Sequence, residues 1–206
     1  MSSVPVRRWK VRAYAGTDEN SWLRCRVLGF LDTSYFDDVL TSKPTLDGPQ
    51  LVAVDGQGVV GVLDISIDGP LATVETIAVH PDHRRRGIAT ALLDEGRGLA
   101  RQRGAKHLAA WTRDDAAALT WYRQQGFTER FRYLHVYAST VQELAAAVDK
   151  RSPLLPMTAF FHAAIEHEEQ LRRQYARVHV CRQFVNALTS EHVEPPSVNA
   201  SMLPPV

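Results

Sequence analysis

The sequence is poor in cysteine. Its two residues, Cys25 and Cys181, lie far apart and outside any metal-ligand spacing. That excludes a disulfide scaffold and leaves two reduced, partly buried thiols as the default. Excess charge is also lacking. Twenty-four Lys and Arg meet 23 Asp and Glu, a net charge of +1, which argues against a protein that coats nucleic acid. No stretch approaches the ~18 apolar residues of a membrane span. The opening "MSSVPVRRWKVRAYAG" has no apolar core of a secretory signal. A soluble cytoplasmic protein without membrane partners is therefore expected. There is no internal repeat. What is present is ordinary globular composition, 45% hydrophobic and 23% charged over 206 residues. That length suits one domain with an appendage.

Periodicity predicts an alternation of strands and helices. "WKVRAYA" (9–15) alternates as a strand, and 16–32 reads as a helix capped by Thr17 or Asp18. Trp22, Cys25, Arg26 and Gly29 share one stripe of that helix; Leu23, Val27 and Phe30 share the next. A short helix or turn and a Pro/Gly-rich loop follow over 33–49. Residues 50–81 hold three strands, punctuated by Asp55-Gly56 and Asp68-Gly69-Pro70. A helix is predicted from Gly87 to about Arg103, a strand over 106–112, and a short helix from Asp114 or Asp115 to a stop at Gly126. "FTERFRYLHVYA" (127–138) reads as a closing strand. Beyond it, 139–150 reads as a helix with Thr140 and Glu143 as a capping box. A long amphipathic helix is expected over 156–188, on the spacing of Phe160, Ala164, Leu171, Tyr175, Val178, Phe184 and Leu188. The proline-rich residues 189–206 are expected to be disordered.

The chemistry concentrates in "HPDHRRRGIATALL" (80–93). A strand runs into a turn, then Gly87, then a helix. Helix starts carry unpaired N–H groups and partial positive charge, so this is a ready anion site. Gly87 and the small Ala89 let a ligand approach the backbone. The N–H groups of Arg85 through Thr90 are placed to converge on a diphosphate. The glycine pattern fits neither a dinucleotide loop nor a Walker loop. It is R-x-x-G-x-A: Arg84, Gly87, Ala89.

With its strand "IAVHP" and its helix, this stretch resembles the acetyl-CoA pyrophosphate loop of the GNAT N-acetyltransferase superfamily. "DDAAALTWYRQQGF" resembles a later segment of the same family through Ala118, Trp121, Tyr122, Gly126 and Phe127. The resemblance covers residues 9–138. It implies a mixed α/β (α+β) fold, a mostly antiparallel sheet flanked by helices. Here that fold would carry a helical C-terminal extension: an N-acyltransferase domain over 1–138, helices over 139–188, and the tail. The helices would pack on the domain, wall the acceptor site or form a homodimer.

The resemblance further implies direct attack of an acceptor amine on acetyl-CoA, which is the acyl donor, with no metal. The donor would lie along Ile77, Ala78 and Val79. Its diphosphate would rest on Arg84, Arg85, Arg86, Gly87, Ile88, Ala89 and Thr90. Arg84 is expected to support the turn itself. Tyr122 is the candidate general acid, because a phenol near pKa 10 can protonate a thiolate near 8.5; a core tyrosine packing the helix onto the sheet is the other reading. Glu75, a carboxylate in an otherwise apolar strand, is the candidate general base; a water-facing strand end is the other reading. Asp115 departs from the family's Asn, and capping is favoured over cofactor contact. His80 and His83 are placed on the diphosphate side. His162 and Glu166 have metal-ligand spacing on a helix, but a solvated face is preferred, and "EHEE" is expected to pair with the arginines after it. Acceptor-side loops are placed at 30–50 and 128–160, and the acceptor amine remains unidentified. Aminoacyl-tRNA or another bulky donor or acceptor is the first rival reading, nucleic acid being disfavoured by charge. A weakly catalytic CoA-binding module is the second.

Overall fold

A computed structural model describes residues 9–145 and 157–189. The elements run β1 (Lys10–Ala13), α1 (Glu19–Phe30), β2 (Gln50–Asp55), β3 (Gly58–Asp68), β4 (Leu71–Val79), α2 (Ile88–Gln102), β5 (His107–Thr112), α3 (Ala116–Gln124), β6 (Thr128–Ala138), α4 (Val141–Ala145), β7 (Ala159–Ala163), α5 (Glu168–Gln174) and β8 (Arg177–Ala187). All eight strands form one sheet in the order β1-β2-β3-β4-β5-β8-β6-β7. Every pairing is antiparallel except β4 with β5. The mixed, mostly antiparallel sheet is as expected.

Helices cover both faces because each presents one apolar stripe. On one side α2 buries Ile88, Leu92 and Leu93 against Leu63, Ile65, Val74 and Leu108. On the other, α1 buries Trp22 and Cys25 against Val52, Val54, Val62 and Ala78. The stripe of Trp22, Cys25, Arg26 and Gly29 is the buried one. Gly29 lets α1 approach β4 closely, since a Cβ there would stand 3.0 Å from Ala78 Cβ and 3.2 Å from the Val79 carbonyl.

Residues 156–188 correct the sequence reading. The long helix is absent: β7, the short α5 and β8 occupy most of that range. β8 is the strand between β5 and β6, so residue 138 does not mark the edge of the sheet, and β6 does not close it. The reason is non-local. β8 pairs on both sides, residue by residue, from Arg177↔Tyr137 to Ala187↔His107. Val178 and Val180 pack with Leu134 and Val136, while Phe184 joins the main core. A strand buried on both faces loses the simple in-out alternation, and its apolar spacing then imitates a helix. The capping box of Thr140 and Glu143 forms, with Glu143 N–H 3.3 Å from Thr140 Oγ1 and Thr140 N–H 3.1 Å from Glu143 Oε2. The rest of the 139–150 helix and the tail beyond residue 189 lie outside the described residues.

Candidate active site

The site is built by a break in the sheet. β4 pairs with β5 only from Leu71↔His107 to Val74↔Ala110. At the next residue β4 carries a bulge: Ile65 opposes Val74, Asp64 opposes Thr76, and Glu75 is the extra residue. A bulge shifts a strand's facing by one position. Ala72 and Val74 therefore face the α2 core before it, whereas Ile77 and Val79 do so after it and Ala78 turns toward α1. From Glu75 to Val79 the edge of β4 has no strand partner on the β5 side. Trp111 and Thr112 of β5 likewise lack a β4 partner and pair only with β8.

A cleft of about 650 Å³ fills this break. It is lined by Ile77, Ala78, Val79, Arg84, Arg85, Gly87, Ile88, Ala89, Thr90, Asp115, Glu75 and Tyr122. All the expected site residues except Arg86 are thus brought together. Arg86 instead points its guanidinium to the Asp82 carbonyl, 2.8 Å away. His83 also lines the cleft, with its Nε2 2.9 Å from Asp55 Oδ2.

The anion end is made of backbone. Gly87 caps α2 with φ +76, and Arg85 also has a positive φ of 59. The left-handed region is costly for a residue with a Cβ, so the turn at Arg85 stores strain that its surroundings must hold. Arg84 does so: its guanidinium grips both carboxylate oxygens of Asp32 at 2.6 and 2.7 Å and the Gly29 carbonyl at 2.9 Å. These contacts tie the turn to α1 and the residues just after it. Its hydrogen bond also holds the Asp32 carboxyl below its ordinary pKa. Arg85, by contrast, has no hydrogen-bond or ion-pair partner among the described residues and remains a free cation at the cleft. The first intrahelical bond is Ala91 N–H to the Gly87 carbonyl. The N–H groups of Ile88, Ala89 and Thr90 are left for a ligand.

Tyr122 sits deeper. It is 5% exposed, stacked on Phe184 at 5.6 Å and edge-on to Trp121 and Phe127. Burial pushes its phenol well above the ordinary value, so it stays protonated. The hydroxyl makes no hydrogen bond among the described residues. Asp115 caps α3 by accepting from Ala118 N–H at 2.9 Å, the favoured one of its two expected roles. Glu75 is exposed and accepts from Ser66 Oγ at 2.5 Å. Neither thiol lines the cleft, and burial pushes Cys25 up to about 12 and Cys181 up to about 11. A cysteine-borne acyl intermediate has no nucleophile here.

Several lining residues were not singled out individually as site residues: Arg26, Phe30, Tyr35 and Asp38 from α1 and its following loop, and Trp111 from β5. The 30–50 segment does wall the cleft, whereas no described residue of 128–160 does. Arg26 binds the Asp38 carbonyl at 2.6 Å and its carboxylate at 2.9 Å, which folds the loop back on α1. The expected helix face around His162 is a strand instead, and His162 stacks on His135 at 5.0 Å. The charge pairing expected nearby does form, Arg172 with Glu168 and Arg173 with Glu169. Among the described residues no cluster of His, Cys, Asp or Glu can hold a metal ion.

Residues 15–139 match the sequence model of the Acetyltransferase (GNAT) family. The chain belongs to that family. Among curated proteins, streptothricin acetyltransferase of Streptomyces lavendulae is 43% identical over 58 residues. That match covers 27% of this chain and 30% of the relative. Solved GNAT structures share the fold. The ribosomal-protein-S18-alanine N-acetyltransferase of Escherichia coli superimposes with a TM-score of 0.58 at 14% identity, covering 90% of this chain and 99% of that one. Nourseothricin acetyltransferase gives 0.52 at 20% identity over 88% and 99%. A putative acetyltransferase of Salmonella typhimurium, solved with acetyl-CoA, gives 0.57 at 16% over 91% and 98%. In this GNAT chain no helix among the described residues is long and apolar enough to cross a membrane.

Proposed function

We propose that this GNAT protein transfers an acetyl group from acetyl-CoA to a primary amine by direct attack. One observation carries the reading: the unpaired edge of β4 beyond the Glu75 bulge leads straight to the open N-terminus of α2. The first half offers strand-type hydrogen bonds to the peptide-like arm of the donor. The second offers N–H groups, helix dipole and the free Arg85 to its diphosphate. Gly87 fits that role, because nothing lies within 4 Å of where its Cβ would be and a ligand has room to approach.

The amine nitrogen adds to the thioester carbonyl, the amide bond forms, and the carbon–sulfur bond breaks. Glu75 accepts the amine's proton through water. Tyr122, protonated and unpaired, donates its proton to the departing thiolate. Glu75, which has no ion-pair partner among the described residues, and the ring of Trp111 favour a cationic acceptor. Two relatives are named for the acetylation of streptothricin and nourseothricin, so nourseothricin is the first acceptor to try.

Calorimetric titration should give acetyl-CoA binding in the micromolar range, about −8 kcal/mol. Absence of binding at millimolar donor would overturn the proposal. Tyr122→Phe should cut kcat about a hundredfold with donor affinity kept, on the scale of lost acid–base catalysis. Unchanged turnover would remove Tyr122 from the mechanism. Sustained CoA release with any amine of a broad panel would dismiss a non-catalytic module.

A further inference from the structure

The loop after α1 walls the acceptor end of the cleft through Thr33, Tyr35 and Asp38. Its outer surface is poorly covered: Phe36 is 52% and Val39 is 60% exposed. Two arginines from the opposite half of the sheet hold it. Arg113 directly follows β5. Its N–H donates to Tyr35 Oη at 3.0 Å, its guanidinium lies 4.2 Å over the Tyr35 ring, and its Nη1 donates to the Ser34 carbonyl. Arg177 opens β8. Its two terminal nitrogens meet the Asp37 carboxylate at 2.6 and 2.9 Å, and one of them also reaches the Ser34 carbonyl at 3.3 Å. The same guanidinium is sandwiched between the rings of Tyr137, at 3.8 Å, and Phe36, at 4.6 Å.

Arg177 is itself fixed from behind. Its Nε donates to His179 Nε2 at 3.2 Å. That leaves the His179 proton on Nδ1, which donates to Asp114 Oδ1 at 2.8 Å. Arg172 of α5 lies 3.4 Å from Asp114 Oδ2. A continuous chain of charged and polar groups therefore runs from α5 to the loop. A planar, bidentate, stacked arginine is worth more than an exposed point contact. Among the described residues none of these groups forms a hydrogen bond or ion pair with Gly87, Arg85 or residues 75–79.

We infer that Arg177 and Arg113 are positioning residues for the acceptor: they latch residues 33–38 across the break in the sheet and so set the width of the cleft where the amine enters. This rests on the reading of that end as the amine site. It gives β8 a second task besides pairing, because the strand that completes the sheet also closes the site from the far side.

The test uses the full chain, acetyl-CoA and nourseothricin as the acceptor probe. Arg177→Ala and Asp37→Asn should each raise the KM for nourseothricin about fivefold to tenfold, with kcat and calorimetric acetyl-CoA affinity within about twofold, as loss of orientation without loss of chemistry predicts. The double variant should be no worse than either alone, since both remove one interaction. Arg177→Lys should recover only part of the effect. Amide exchange over residues 33–38 should quicken in each single variant. Unchanged exchange, or donor affinity falling as far as acceptor affinity, overturns the latch. Asp37→Asn lies on the loop and gives the same reading if Arg177→Ala fails to fold. The exchange arm needs no acceptor, so a failure of nourseothricin turnover in the unaltered protein counts against the proposed function and leaves the latch decided by exchange.

Discussion

The two ends of the cleft are made differently. The anion end is contiguous in sequence and largely backbone, from Glu75 to Thr90. The opposite end, proposed as the acceptor site, is assembled from side chains of three distant segments, residues 26–38, 111–113 and 177. A backbone site should tolerate loss of side chains and fail when φ is forced. A side-chain site should fail at single contacts. Phe184 links the two halves, since it stacks on Tyr122 from β8.

Phe184→Ala should have the largest effect on stability. The side chain is fully buried in the main core, and such a truncation costs about 4 kcal/mol. For a chain of this size that lowers Tm by about 10 °C. A loss below about 1 kcal/mol would show that β8 is not a core strand. Tyr122 loses its stacking partner in the same variant, so kcat should fall as well.

Gly87→Val comes next. A β-branched residue at φ +76 costs about 1–3 kcal/mol. Acetyl-CoA affinity should drop about tenfold or more, because the strain is relieved by moving the very N–H groups that hold the ligand. Arg86→Ala is the counterpart: its side chain is turned away to the Asp82 carbonyl, and donor affinity should change less than about twofold. Equal effects of the two changes would break the contrast between backbone and side-chain sites.

A further contrast is an acid dependence behind the residues 33–38 loop. Burial alone would raise the Asp114 carboxyl, but the hydrogen bond from His179, joined by backbone hydrogen bonds, overrides it and holds it at about 2. Since the folded value lies below the ordinary 3.8, the stabilisation is fully present above about 3.8 and disappears as pH falls through about 2. Asp114→Asn should cost about 2 kcal/mol at neutral pH, and the difference from the unaltered protein should vanish near pH 2 in denaturant titrations. His135 adds to acid lability over a higher window. Burial, then the Arg113 charge, lowers it from 6.5 to about 3, so the unfolded chain takes up a proton there before the folded one does.

Legibility followed locality. Arg84-x-x-Gly87-x-Ala89 was readable because a helix start, its cap and its anion site need only consecutive residues, and the Asp115 cap of α3 was readable for the same reason. β7 and β8 were not. "RVHVCRQFV" (177–185) carries its charged and polar residues where partners on β6 and in the 33–38 loop receive them, and those partners are 40 to 140 positions away. The bulge at Glu75 was also hidden, because the extra residue shows only against the register of β3.

By itself the sequence determined the three hairpin strands of residues 50–81, the helix over α1, the strand–turn–helix with Gly87 at its cap, and the Tyr122 segment. Each depends on periodicity, φ preference or helix-end chemistry within about one element's length. Only the tertiary structure decided that 177–187 is a strand in the middle of the sheet, that β4 and β5 part beyond Val74, and that Arg113 and Arg177 reach across to hold residues 33–38. Those outcomes depend on which distant backbone edges and charges meet, and in a chain this long many pairings compete until packing selects one.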